Sequence, residues 1–186
     1  MASKYWVANN PNGEITDAKA QGLKMLSAMG GYIPVLGSAS ALPADGSLLV
    51  KNTYYAEDTS DGEAFLLPTV ANSEAGDWIV VRDTAGLAND EKITIGSAAN
   101  GDLEIGCHLT GINVTATAST EAVDISVAGD NSVVMEGLTN GGGGAGSYVA
   151  FVFNGTAWTA TGVSRNIGSG AAITVGAGTM RFDATA

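Results

Sequence analysis

From residue 47 to residue 161 the chain keeps one cadence. Short runs rich in Val, Ile, Tyr, Phe and Trp recur about every ten residues and are separated by Gly, Asn and Asp, the spacing of a sandwich or barrel. The runs fall at residues 48–55, 63–67, 78–83, 92–95, 103–105, 112–115, 123–127, 133–135, 148–153 and 156–161. Runs this short are strand-sized and too brief for packed helices. The pattern predicts a mainly β chain: an antiparallel β-sandwich or jelly-roll-like domain.

Alternation within the runs sharpens that expectation. Ile93/Ile95, Leu103/Ile105, Ile112/Val114, Val123/Ile125/Val127 and Val149/Phe151/Phe153 each place apolar side chains on one face of a two-residue period. The residues between them are Thr, Glu, Asp, Ser and Ala, which predicts an opposite face that is wet or lightly packed. Asn100-Gly101, Asn140-Gly141 and Asn154-Gly155 offer the positive φ that tight hairpins need. The last lies between VAFVF and TAWTAT and is the strongest hairpin signal in the chain. The glycine run at 141–146 is expected to form a mobile loop or a place where another backbone comes close.

The flanks differ in character. Residues 1–46 read as an N-terminal extended arm, one short helix and a linker; residues 47–162 as the β-domain; residues 163–186 as a C-terminal extended tail. The helix is expected at 17–29, capped by Thr16 or Asp17 and stopped at Gly30-Gly31, with Ala20, Leu23, Leu26 and Ala28 roughly on one face. Pro34 and Pro43 make residues 32–46 an extended linker. The tail holds two weak extended patches, at 173–175 and 180–182.

Charge narrows the partners. Lys+Arg is 8 against Asp+Glu 19, a formal net charge of −11. Nucleic acid and anionic membrane both call for clustered cations, so neither is an expected partner. The only Cys excludes an internal disulfide, and with the only His it is too little for an all-Cys/His zinc site. No apolar run approaches a membrane span, and MASKYWVANN lacks the apolar stretch of a signal peptide.

Catalytic arrangements are sparse. Cys107 and His108 are adjacent, and neighbours on a strand point to opposite faces, so one is expected inside and the other outside rather than as a nucleophile pair. Asp58, Asp61 and Glu63, around Gly62, are the best candidates for an ion site, since carboxylates about a glycine turn can offer Ca²⁺ hard oxygens. They lack the regular ligand spacing and closing Glu of an EF-hand, so a solvated turn between two strands is the favoured reading over an ion site. No cofactor is expected. Trp6 is either an anchor into a neighbour or packed on its own domain, and Trp78 and Trp158 are either core or a sugar-stacking surface.

The order of motifs from 48 to 160 resembles a β-domain of tailed-phage virion proteins. It runs through Leu67-Pro68, a hydrophobic strand ending Arg82-Asp83, the turn 84–86, Lys92-Ile93-Thr94-Ile95-Gly96, Asp102-Leu103-Glu104-Ile105-Gly106 and Asn154-Gly155-Thr156-Ala157-Trp158. In capsid decoration proteins and in head and tail fibres the corresponding steps occur in this order. The opening KYWVAN is similar to the start of many such proteins, while residues 123–146 are an insertion ahead of the last hairpin. The resemblance implies a non-enzymatic, homotrimeric virion component, assembled in the host cytoplasm. With one compact domain and no stalk, a decoration (cement) protein on the major capsid protein is the expected role; a short head or tail fibre, or a receptor-binding module, is the alternative. Tyr5, Trp6, Met25 and Leu26, outside the β-domain, are the expected contacts with capsid or neighbouring subunit.

Overall fold

The computed structural model describes residues 40–57, 62–84, 86–87, 91–97, 99, 101–114, 119–136, 144–166 and 180–184. The expected helix at 17–29, the arm contacts Tyr5, Trp6, Met25 and Leu26, the Asn140-Gly141 turn, and Asp58 and Asp61 lie outside the described residues.

The described residues form ten strands: β1 (Thr53–Glu57), β2 (Glu63–Leu66), β3 (Trp78–Asp83), β4 (Lys92–Gly96), β5 (His108–Val114), β6 (Ser119–Ile125), β7 (Ser132–Glu136), β8 (Tyr148–Phe153), β9 (Trp158–Asn166) and β10 (Arg181–Asp183). They build a six-stranded sheet ordered β1-β3-β8-β9-β5-β6 and a four-stranded sheet ordered β10-β7-β4-β2. The molecule is β-sandwich-like, with its core between the two sheets. Phe65, Ile79, Ile93, Ile95, Leu109, Met135, Val149, Phe151 and Trp158 are sealed there.

Both sheets are mixed rather than purely antiparallel: β1 pairs with β3, β2 with β4 and β5 with β9 in parallel. The cause lies in the route of the chain. β1 belongs to one sheet, β2 to the other and β3 to the first again, so a strand that returns after one crossing runs in its predecessor's direction. A local cadence carries no record of which non-consecutive strands become neighbours.

The β8–β9 hairpin forms as expected, with Phe153 opposite Trp158. Gly155 takes φ 103°, while the Asn154 side chain accepts from the amides of Thr156 (2.8 Å) and Ala157 (2.9 Å). Asn154 thus acts as a turn acceptor rather than as a positive-φ residue. Trp158, fully enclosed, donates its indole N–H to the Pro68 carbonyl at 2.9 Å and tilts against Phe153 at 5.5 Å between ring centroids. The close packing of β8, β9 and β5 needs Gly162: a Cβ there would stand 2.7 Å from the Tyr148 carbonyl and 2.8 Å from Met180 Sδ.

The described parts of the flanks are tied to this body. Ser40 bridges to Tyr55, Gly46 N–H donates to the Ala64 carbonyl, and Asp45 accepts from the Ala64 amide. At the other end β9 runs on to Asn166, and the 180–182 patch becomes β10, with Met180 and Phe182 in the core. At the end of the glycine run, Gly146 N–H bonds the Asp83 carbonyl at 2.7 Å, so another strand's backbone does approach there.

Three further expectations change. Residues 103–105 form no strand: Leu103 makes an isolated bridge to Trp158, while Ile105 sits in a turn and is 65% exposed. The face opposite the core is not uniformly wet, because Val80, Ala150 and Val152 are buried on it. They stand in interior strands, with Tyr54 opposite Val80 and Trp78 opposite Val152 in register. Finally, Val123, Ile125 and Val127 alternate as expected but turn outward. Ile93/Ile95 and Val149/Phe151/Phe153 face the core; the side chains of Ile112 and Val114 lie outside the described residues.

Candidate functional site

The exposed apolar stripe is the most distinctive surface feature of the described residues. β6 is the edge strand of the larger sheet, and Val123, Ile125 and Val127 are 48%, 56% and 60% exposed. The outward turn has a local cause. Asp124, between two stripe residues, points to the sandwich interior, where its carboxylate accepts the Phe182 amide of β10 at 2.7 Å. That amide faces away from β7, so Asp124 joins the edge strands of the two sheets, and the two-residue period sends Val123 and Ile125 to the other side. Gly106 N–H donates to the Ser126 carbonyl, which brings Ile105 beside the same end of the strand. His108, exposed, is paired in register with Ile125.

Asp130 stands beside the stripe at the turn after β6, whereas the Glu104 carboxylate accepts the Asn154 side-chain amide at 2.6 Å, toward the β8–β9 turn. Asp130 also accepts the Val127 amide at 2.7 Å and so holds the turn after β6. A second apolar group, Leu48, Val50 and Leu66, lies at the opposite edge, where Leu48 bridges to Leu66 of β2.

Two buried carboxylates, Asp77 and Asp83, are structural. Burial alone would raise the Asp77 carboxyl. The Lys51 ammonium, the Glu74 amide and the Asn52 side chain all donate to it, and together they bring its pKa from 3.8 down to about 2. Asp83, fully buried at the end of β3, accepts from the amides of Gly86 (2.7 Å) and Leu87 (3.1 Å). The available signal was position: each acid stands at a strand end beside a glycine-containing turn, where a carboxylate can satisfy loop amides.

Cys107 is buried and His108 exposed, on opposite faces. Burial pushes the Cys107 thiol up, and its sulfur accepts the Ala160 amide at 3.2 Å. Its own amide is held by the Ser126 hydroxyl at 2.9 Å. The pair is divided between core and solvent and supplies no activated nucleophile. Of the acidic stretch, Glu63 is described: it opens β2 and is half-buried. Among the described residues, no three His, Cys, Asp or Glu side chains stand together as metal ligands. Of the tryptophans, Trp158 is core and Trp78 is partly exposed at the start of β3.

Comparison with protein-family models, with curated proteins and with solved structures finds no match to this chain.

Proposed function

We propose that this chain is a virion structural protein: a capsid decoration (cement) protein that binds the outer shell, on the major capsid protein, as a homotrimer and stabilises it. The observation that carries this reading is the distribution of apolar surface. Buried polar groups such as Asp77, Asp83 and Ser126 are spent on the body's own loops, whereas Ile105, Val123, Ile125 and Val127 are left outside on one edge. Full burial of a Val or Ile side chain is worth about 1.5–3 kcal/mol, so such an edge holds adhesive capacity that the isolated body does not use.

The ordered motif resemblance of residues 48–160 supports the same reading. Contact area rather than chemistry is what a cement protein needs, and three copies acting together turn weak contacts into durable ones. The net charge of −11 keeps unassembled copies apart and complements basic patches on a shell. In this reading the chain is not an enzyme, uses no cofactor, and resides in the virion.

Co-sedimentation with preassembled shells tests the proposal. Saturable binding at a fixed ratio to capsomer junctions is expected. Binding confined to a single vertex would favour the fibre alternative, and no binding to shells would refute the decoration role.

A further inference from the structure

We propose that Asn154 is a site of covalent self-modification, deamidation through the Gly155 backbone, and that the Glu104 carboxylate holds this site closed. The modification depends on neither a shell nor an oligomer.

The β8–β9 turn calls for two residue types that together make a vulnerable bond. Gly155 holds φ 103°, a conformation that side chains disfavour, so glycine is required there. Asn154 accepts the Thr156 and Ala157 amides with its side-chain oxygen. Side by side, they set an exposed, unhindered backbone nitrogen one residue after a carboxamide. Once hydroxide removes its proton, the Gly155 nitrogen can form a bond to Asn154 Cγ. The Cγ–Nδ2 bond then breaks, and the side-chain nitrogen leaves as ammonia with a proton from water. Water opens the five-membered imide at either carbonyl and gives Asp or its β-linked isomer. One water is consumed and one ammonia released.

A carboxylate would serve the turn equally well. In this same chain Asp83 accepts the Gly86 and Leu87 amides, Asp77 the Glu74 amide and Asp130 the Val127 amide. What Asp lacks is a donor. Asn154 Nδ2 donates to Glu104 Oε2 at 2.6 Å, so both halves of its carboxamide are engaged. Glu104 is firmly mounted for this contact. Its amide donates to the Trp158 carbonyl at 3.0 Å, and its carbonyl accepts the buried Ser126 hydroxyl at 2.7 Å. Glu104 therefore selects Asn at position 154, and deamidation would install the residue type that the contact rejects.

The same contact controls the reaction. Imide closure draws Cγ onto the Gly155 nitrogen, so Oδ1 and Nδ2 must leave places that three hydrogen bonds fix. Two of those bonds come from the hairpin itself. The third comes from Glu104, a positioning residue that retains the leaving nitrogen. After conversion to Asp, the new carboxylate can keep the turn amides but meets Glu104 with like charge. The hairpin tip is then released from the turn that carries Glu104, and water does not restore the amide.

Peptide mapping of the full-length chain, aged in mildly alkaline buffer, tests this. In urea Asn154 should convert freely; in the folded chain it should convert at least about tenfold more slowly. Glu104→Ala should raise the folded rate about three- to tenfold, whereas Glu104→Gln, which keeps an acceptor oxygen, should stay near the parent. Glu104 is exposed, so both variants keep the fold, which near-UV circular dichroism checks. Equal rates in the folded and urea-unfolded chain, or no acceleration by Glu104→Ala, would overturn the control by Glu104. Absence of conversion at residue 154 even in urea would remove the site. Asn154→Asp, made directly, should lower the melting temperature, and adding Glu104→Gln should recover most of that loss by returning a donor from the other side. A double variant no more stable than Asn154→Asp alone would contradict the selection of Asn by Glu104.

Discussion

β8 and β6 carry the same written pattern and meet opposite fates. In β8, Val149, Phe151 and Phe153 alternate with smaller residues and are sealed in the core; in and just after β6, Val123, Ile125 and Val127 alternate in the same way and face solvent. The two strands differ in place. β8 lies between β3 and β9, so its apolar row has neighbours on both sides and the second sheet beneath it. Among the described residues β6 has one neighbouring strand, and its inward position is taken by Asp124, which bonds the Phe182 amide on the opposing sheet. A two-residue period therefore reveals that two faces differ. Which face is covered depends on the partners, and on which residue type can close the gap between the sheets.

The contrast can be broken first at its strongest point. Replacing Trp158, enclosed and bonded to the Pro68 carbonyl, with Ala should cost about 3–5 kcal/mol in denaturant unfolding, as large-to-small core changes do. Phe151→Ala on β8 belongs in the same range. An Ile125→Ser change on β6 should stay within about 0.5 kcal/mol, because no buried contact is lost. A loss at Ile125 equal to that at Phe151 would mean that the stripe is covered within the isolated body.

A pH titration probes the loop end of β3 with an effect of intermediate size. Asp77 has a folded pKa of about 2, below its ordinary 3.8. A depressed carboxylate contributes stability that is complete above about pH 4 and is lost as pH falls toward the folded value; the contribution is on the order of 2 kcal/mol. Stability of the parent chain should therefore drop over that interval, and Asp77→Asn should remove this part of the slope while lowering stability at neutral pH. An unchanged slope in the variant would assign the acid sensitivity elsewhere.

Gly162→Ala is a further probe of the region where β5, β8 and β9 crowd together. The added methyl would meet the Tyr148 carbonyl oxygen, Met180 Sδ and Leu109 Cδ2 (3.1 Å), and a loss of about 1–3 kcal/mol is expected. The smallest effect on folding belongs to deletion of residues 1–30, which should leave the melting of the β-body nearly unchanged while weakening its binding to shells. Undiminished binding would remove the arm from the interface.

Much of the body could be read from the chain. Trp78–Asp83 and Tyr148–Phe153 are bounded as expected, because each is a continuous apolar run closed by a turn residue. Asn154-Gly155 marks its hairpin through chemistry local to four residues. What escaped was non-local or contextual. The three parallel pairings join strands distant in sequence, and no local signal names them. Ile105 breaks its apparent alternation because Gly106, at φ 87°, turns the chain there. A lone carboxylate such as Asp77 or Asp83 looks the same in sequence whether it meets water or loop amides, and only its place at a strand end beside a turn separates the two. The candidate surface was half legible: the stripe was visible as a pattern, and its exposure was set by the position of β6 in the sheet.

Counting chains per particle is the most direct measurement of what this protein is for. Quantitative mass analysis of purified virions should find a copy number that scales with the capsomer junctions of the shell and is divisible by three. A copy number fixed at a single vertex, or a monomer absent from particles and active on a substrate, would contradict the account.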